Sequence, residues 1–211
     1  IDEKEFLINF FRLNDNLNDI EKELIKDKHL KVAFKKFKGL RLIKQDPWEC
    51  AISYICSSAA NIPKIQMNLN LLSEKFGKPI KLDDYKGFTF PLPGAINDLK
   101  KIKNCKVGFR ARYILEANKI LKNIDRLKEM SFSEARNELI NNDGIGKKIA
   151  DCICLFSLDK DEAFPVDTWV KKAMKGLYGK DEKEIESFVS KKFGKNSGYA
   201  QQYLFYMIRE R

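Results

Sequence analysis

Residues 141–169 read NNDGIGKKIADCICLFSLDKDEAFPVDTW, and the string GIGKK at 144–148 sets the reading of the whole chain. Gly144 and Gly146 permit a sharp turn, because glycine reaches backbone conformations closed to other residues. Apolar residues recur at three- and four-residue intervals before and after it, over 132–141 and 147–157, so a helix is expected on either side. Lys147 and Lys148 then stand at a helix start, the end where the macrodipole favours negative charge. The unpaired N–H groups of such a turn and of the following helix can face a phosphate. The pattern is a helix-hairpin-helix. A Gly-x-Gly alone would be an ordinary link; the flanking helices and the paired lysines are what favour the phosphate reading.

The same helical spacing continues outward. Helices are expected near 2–12, 17–36, 47–58, 67–76, 94–102, 110–125, 132–141, 147–157, 167–176, 182–192 and 197–208, punctuated by glycines and prolines such as Gly77-Lys78-Pro79 and GFTFPLPG at 87–94. No stretch of several residues alternates apolar and polar cleanly between turn signals, so the expected class is all-α, two closely packed helical subdomains. There is no internal repeat and no low-complexity linker. Residues 1–211 are therefore expected to form one helical unit, with a central bundle at roughly 50–150 against a second layer built from 1–49 and 151–211.

Forty Lys+Arg against 30 Asp+Glu leave a net charge of +10, which favours a polyanionic partner such as nucleic acid. Five irregularly spaced cysteines argue against a disulfide framework and for a reducing compartment. The first thirty residues contain no uninterrupted apolar run, so neither a signal peptide nor a membrane span is expected, and the chain reads as soluble and intracellular. Numbering from Ile1 leaves room for a few residues upstream. No metal is expected: only Cys152 and Cys154 lie close together, and His29 is the sole histidine.

Several side chains carry a chemical reading beside a plain one. Lys148 lies in a first helical turn, where the macrodipole and a neighbouring lysine disfavour the ammonium form and sharpen the amine as a nucleophile; plainly, it binds DNA phosphate or points into water. Asp167 follows Pro165-Val166 and is read as an N-cap, a role that leaves one carboxylate oxygen to orient a lysine or stabilise positive charge on a sugar. Cys152, four residues beyond Lys148, shares its helix face and can line a pocket, whereas Cys154 reads as core. Phe109 and Arg110, among Lys103, Lys106, Arg112 and Tyr113, can wedge into a base stack or simply start a helix. In the tail, Gln201 lies one turn before Phe205, so both can face one cavity, although Phe205 and Tyr199 would ordinarily be core.

Taken together, GIGKKIADCICLFSLDKDEAFPVD at 144–167, QDPWECAISYICSS at 45–58, GFRARY at 108–113 and SGYAQQYLF at 197–205 resemble, in the same order, blocks of the 8-oxoguanine DNA glycosylases of the helix-hairpin-helix superfamily. The chain is most similar to their archaeal type 2 branch, with no sign of the extra N-terminal β-domain of the eukaryotic enzymes. The resemblance implies a bifunctional DNA glycosylase/AP lyase that needs no cofactor. Its partner would be double-stranded DNA containing 8-oxoguanine, and it would act as a monomer at the nucleoid of a prokaryotic cytoplasm. By the same resemblance Lys148 matches the nucleophile that attacks C1′, expels the base and forms a Schiff base that permits β-elimination. Asp167 matches the aspartate that supports it and the oxocarbenium-like sugar. Cys152 and Phe205 match residues that sandwich the flipped base, and Gln201 matches the one bonding its Watson–Crick edge. Phe109 and Arg110 match the wedge and an arginine touching the orphaned cytosine, while Gly144, Gly146 and Lys147 belong to the DNA-binding hairpin. Extrusion of the base fits the chemistry, because a base inside the stack is out of reach.

Three positions depart from the family pattern. Ala59 stands where eukaryotic relatives have an asparagine that reads the orphaned cytosine, Lys64 replaces their nearby arginine, and Trp169 stands where histidine is common. No side chain supplies an evident acceptor for the N7 proton of the lesion, and the terminal carboxylate of Arg211 is the substitute expected here. Two rivals follow from the same residues. One is a sister glycosylase of the endonuclease III or alkylated-base type, disfavoured by the lack of a four-cysteine cluster and by Lys148 respectively. The other is a non-catalytic DNA-binding module, for which the hairpin alone would suffice.

Overall fold

Asp27 shows how local chemistry punctuates this chain. The apolar spacing predicts one helix over 17–36, but the Asp27 carboxylate accepts from the backbone N–H groups of His29 and Leu30, at 2.9 and 3.0 Å, and starts a new helix there. The computed structural model describes residues 2–210. In chain order, the elements from the N-terminus are α1 (Glu3–Phe10), α2 (Leu17–Leu24), α3 (Lys28–Lys36), α4 (Pro47–Cys56), α5 (Ile62–Phe76), β1 (Pro79–Leu82), β2 (Tyr85–Phe88) and α6 (Leu99–Asn104). They continue with α7 (Arg110–Ile120), α8 (Phe132–Ile140), α9 (Lys147–Ser157), α10 (Thr168–Tyr178), α11 (Glu182–Phe193) and α12 (Ser197–Arg209). The chain divides into two compact units, Ile1–Gln45 with Cys154–Arg211, and Asp46–Ile153, so the second division falls within α9.

In the Asp46–Ile153 unit, α4 is the central helix. Trp48, Cys50, Ala51, Ile52, Ile55 and Cys56 are all buried, an all-round apolar surface that requires neighbours on every side. Those neighbours are α5, α7 and the 3-10 segment 121–129. The Trp48 indole N–H donates to the Pro91 carbonyl at 2.8 Å, as a buried Trp requires. Asn118 on α7 is buried and accepts from the N–H groups of Gly94 and Ile96, so residues 94–98 are a pinned loop rather than the helix expected from 94. The helix expected over 110–125 ends at Ile120 and gives way to 3-10 geometry, with Asn123 outside helical space. The helix expected from 67 begins five residues earlier, because Asn61 caps the N–H of Lys64 and Pro63 occupies the first turn.

A two-stranded antiparallel hairpin, β1 with β2, adds strand to an otherwise helical chain; Ile80 faces Gly87 and Leu82 faces Tyr85. Its strands are too short and too exposed to leave a burial alternation in the sequence, and their pairing depends on a turn in which Asp83 adopts φ 49°.

In the other unit, α12 is the buried element. Tyr199, Ala200, Tyr203, Leu204 and Met207 line its inner face, and Tyr203 stacks on Phe34 of α3 with centroids 3.7 Å apart. Gly198 at its start leaves room for Leu155, whose Cδ1 would lie 2.1 Å from a Cβ there and would have to move. A polar network ties the N-terminal segment down: the Arg12 guanidinium makes two 2.7 Å hydrogen bonds to the Asp161 carboxylate and pairs with Asp15, which also accepts from the Tyr199 hydroxyl. Asp27 does more than cap. It also accepts from Tyr178 and from Lys192, each at 2.9 Å, and so joins α3 to α10 and α11.

Burial alone would raise the Asp27 carboxyl, but the bonds from Lys192, the Leu30 N–H and Tyr178, with the Lys192 charge, outweigh it and hold the group below the usual carboxylate range. A depressed folded-state carboxyl stabilises the protein above its unfolded value, about 3.9, and that stability is lost as pH falls through the lower folded value. Asp27→Ala is therefore expected to cost about 2 kcal/mol in urea denaturation at neutral pH. The gap should narrow as the pH is taken well below 4; an undiminished gap at pH 2 would show that the charge is not its source.

Candidate active site

The hairpin begins with a well-made first helix. Ser131 and Glu134 form a capping box at the start of α8, and at its other end the buried Asn142 side chain donates to the carbonyls of Glu138 and Leu139. Gly144 then turns the chain at φ 84°, and a Cβ on it would meet the Tyr113 ring at 2.4 Å. The position needs glycine twice over, for conformation and for space. Gly146 is different: its φ is not in the left-handed region and nothing lies within 4 Å of a built Cβ, so it leaves backbone open rather than making the turn. Across the hairpin, the Arg136 guanidinium of α8 grips the Asp151 carboxylate of α9 through Nε to Oδ1 at 2.7 Å and Nη2 to Oδ2 at 3.2 Å. Asp151 is buried, so this ion pair, with its hydrogen bond from Nη2, ties the two helices together.

The hairpin thereby delivers the first turn of α9. Lys147 is exposed there, and Lys148 is half-buried. The Lys148 ammonium lies over the ring of Tyr54 on α4, 5.2 Å from its centroid. Four residues on, Cys152 is buried on the same helix face, and the Tyr54 hydroxyl is hydrogen-bonded with its thiol. Burial, then the neighbouring thiols Cys152 and Cys50, push the Tyr54 phenol well above its ordinary range, so it stays a neutral hydroxyl. Sequence reading did not single out Tyr54; the sole hint was that a buried tyrosine needs a partner for its hydroxyl. Cys154 is buried core.

Phe109 is 60% exposed at the start of α7, beside a cavity of about 740 Å³ whose lining includes Leu99, Lys103, Arg112, Tyr113 and Asp143. A large exposed ring beside basic side chains is what insertion into a base stack needs. Arg110, expected to touch the orphaned cytosine, is engaged here by the protein backbone. It is 5% exposed, its guanidinium donates to the carbonyls of Ser58 and Val107, and it lies over the Phe109 ring at 4.6 Å. It is therefore a clamp on two backbone segments, because buried carbonyls need donors and a guanidinium supplies several.

In the other unit, Asp167 N-caps α10 as expected: Oδ1 accepts from the Val170 N–H at 2.8 Å, which leaves Oδ2 for another partner. Gln201 is buried, with Nε2 donating to the Pro165 carbonyl at 3.1 Å and Oε1 accepting from Gln202 at 2.6 Å, so its amide is engaged by protein at both ends. Phe205 is half-buried on α12, edge-on to Tyr206, with the Arg209 guanidinium over its ring at 5.6 Å; it is not the core residue that its spacing suggested. Trp169 is exposed with Lys172 over its ring. Arg211, the expected acceptor for the N7 proton, lies outside the described residues.

Residues 2–51 match the family model described as 8-oxoguanine DNA glycosylase, N-terminal domain. A probable N-glycosylase/DNA lyase of Methanothermobacter thermautotrophicus is 31% identical over 209 residues, 86% of this chain and 67% of that protein. The N-glycosylase/DNA lyase of Saccharomyces cerevisiae is 32% identical over 83% of this chain, which spans about half (51%) of the yeast protein's length. Among solved structures, the 8-oxoguanine glycosylase/lyase of Clostridium acetobutylicum in complex with double-stranded DNA containing cytosine opposite 8-oxoguanine superposes with a TM-score of 0.92. It is 39% identical, covering 100% of this chain and 77% of that one.

The two hairpin glycines separate in their expected effects. Gly144→Ala should lower the melting temperature markedly, since left-handed backbone alone costs about 1–2 kcal/mol before the clash with Tyr113 is counted. Gly146→Ala should leave stability within about 0.5 kcal/mol yet weaken duplex DNA binding in a fluorescence-anisotropy titration; equal losses of stability would show that both glycines shape the turn.

Proposed function

The chain belongs to the 8-oxoguanine DNA glycosylase/AP lyase family of the helix-hairpin-helix superfamily, and from that premise we propose that it excises 8-oxoguanine from duplex DNA and cleaves the resulting site through Lys148. The observation that carries the proposal is the placement of Lys148: a lysine in the first turn of the helix that follows the Gly144 turn, half-buried against Tyr54 rather than free in solvent. A lysine that only neutralised phosphate would gain nothing from burial.

The steps follow from the amine. In its neutral form Lys148 Nζ attacks C1′ of the extruded nucleotide, the C1′–N bond breaks, and the oxidised base leaves with a proton. Cleavage of the C1′–O4′ bond, with O4′ taking up a proton, opens the sugar to a protonated Schiff base that keeps the second amine proton, and its electron demand acidifies the C2′ proton. Removal of that proton expels the 3′ phosphate and nicks the strand. Attack at C1′ develops positive charge on the sugar, and a carboxylate stabilises it; Asp167 has an oxygen beyond the one used in its cap. Cys152 offers a small polarizable wall to the base, Phe205 a ring on which it can stack, and Gln201 an amide that can exchange its protein partners for the base edge. Phe109 fills the space the base vacates. The net charge of +10 draws the polyanion to the protein, which acts as a monomer.

Borohydride treatment with duplex carrying 8-oxoguanine should give a covalent protein–DNA adduct that Lys148→Gln abolishes; a non-catalytic DNA-binding module gives none. Asp167→Asn should bind lesion DNA almost as tightly as the parent, while single-turnover base release slows by at least about a hundredfold, the scale on which lost electrostatic stabilisation acts. Comparable rates for the two proteins would remove Asp167 from the chemistry.

A further inference from the structure

Tyr54 touches both functional side chains of α9, and nothing in the reaction as described employs it. Its ring takes the Lys148 ammonium at 5.2 Å, and its hydroxyl is bonded with the Cys152 thiol. The two contacts use different parts of one side chain: the π-face for the cation, the hydroxyl for the sulfur. Lys148 and Cys152 are one helical turn apart, and Tyr54 on the neighbouring α4 bridges that turn from outside the helix. α4 itself is buried on nearly every side, so the bridge is anchored to a rigid element.

We propose that Tyr54 is a positioning residue that sets two properties separately: its ring holds the Lys148 amine in the place from which it attacks, and its hydroxyl fixes the orientation of the Cys152 thiol, through which 8-oxoguanine is told from guanine. This rests on Lys148 being the nucleophile and Cys152 a wall of the base site. A thiol is a weak, directional hydrogen-bonding group, and free to rotate it would offer hydrogen or lone pair to a bound base indifferently. Tied to a neutral phenol it presents one arrangement. A phenylalanine here would hold the lysine and leave the thiol free to turn; an aliphatic residue would do neither.

The test compares Tyr54→Phe and Tyr54→Leu in the full chain with two readouts. One is the rate of borohydride trapping on a duplex with a ready-made abasic site, which needs the lysine and no base. The other is the ratio of single-turnover excision rates for 8-oxoguanine and guanine. Tyr54→Phe should trap within about twofold of the parent while its 8-oxoguanine preference falls about three- to tenfold, the loss expected of one hydrogen bond. Tyr54→Leu should lose trapping rate by a similar factor as well. Combining Tyr54→Phe with Cys152→Ala should lower the preference no further than the larger single loss, because the two groups act as one unit. A general loss of structure would slow both readouts in Tyr54→Phe together, and the retained trapping rate excludes it. Full preference in Tyr54→Phe, or multiplicative losses in the double variant, would overturn the assignment while leaving Lys148 as nucleophile. Absence of any adduct from the parent protein would overturn both.

Discussion

The buried grip of Arg136 on Asp151, with Gly144 pressed against Tyr113, decides where α9 begins and in which direction it points. Each interaction alone would leave slack. A glycine turn without the ion pair can hinge, and an ion pair without the turn fixes one point of contact. Together they hold the N-terminal turn of α9 in place, and Lys147, Lys148 and Cys152 are positioned from it. The pair is also costly to break, because removing the guanidinium leaves a buried carboxylate with less compensation for its charge.

That rigidity explains how two lysines come to stand at the positive end of a helix. Lys147 is exposed and can be neutralised by a polyanion, while Lys148 turns inward to the π-face of Tyr54, which favours a cation where the helix dipole does not. Cys152 follows at the next turn on the same face, so one short helix carries both an amine and a thiol in fixed register.

In the other unit polar side chains are held by structural hydrogen bonds. Asp167 caps α10 with one oxygen; Gln201 is held by Pro165 and Gln202. Arg110, in the Asp46–Ile153 unit, gives its guanidinium to backbone carbonyls of Ser58 and Val107. Held side chains are preorganised, since little rotamer freedom remains to be lost when a ligand arrives. Arg110 goes furthest in this direction: it shapes the loop after α4 from which Ala59, at φ 47°, projects.

Amino-acid order alone carries the helical class, the hairpin around Gly144, the cap at Asp167 and the shared face of Lys148 and Cys152, because each is a matter of spacing within one or two turns. It carries the family too, through blocks that follow one another in a set order. Relations across distance emerge only in the packed chain: Tyr54 against Lys148 and Cys152, Arg136 against Asp151, Arg110 drawn into backbone carbonyls, and the split at Asp27 that answers to Tyr178 and Lys192. The surface hairpin at 79–88 and the halt of α7 at Ile120 belong with these, since short strands and 3-10 turns are stabilised by what they meet rather than by their own residues. Periodicity reports which way a side chain points along its own helix; which partner waits there is set by the packing of segments far apart in the chain.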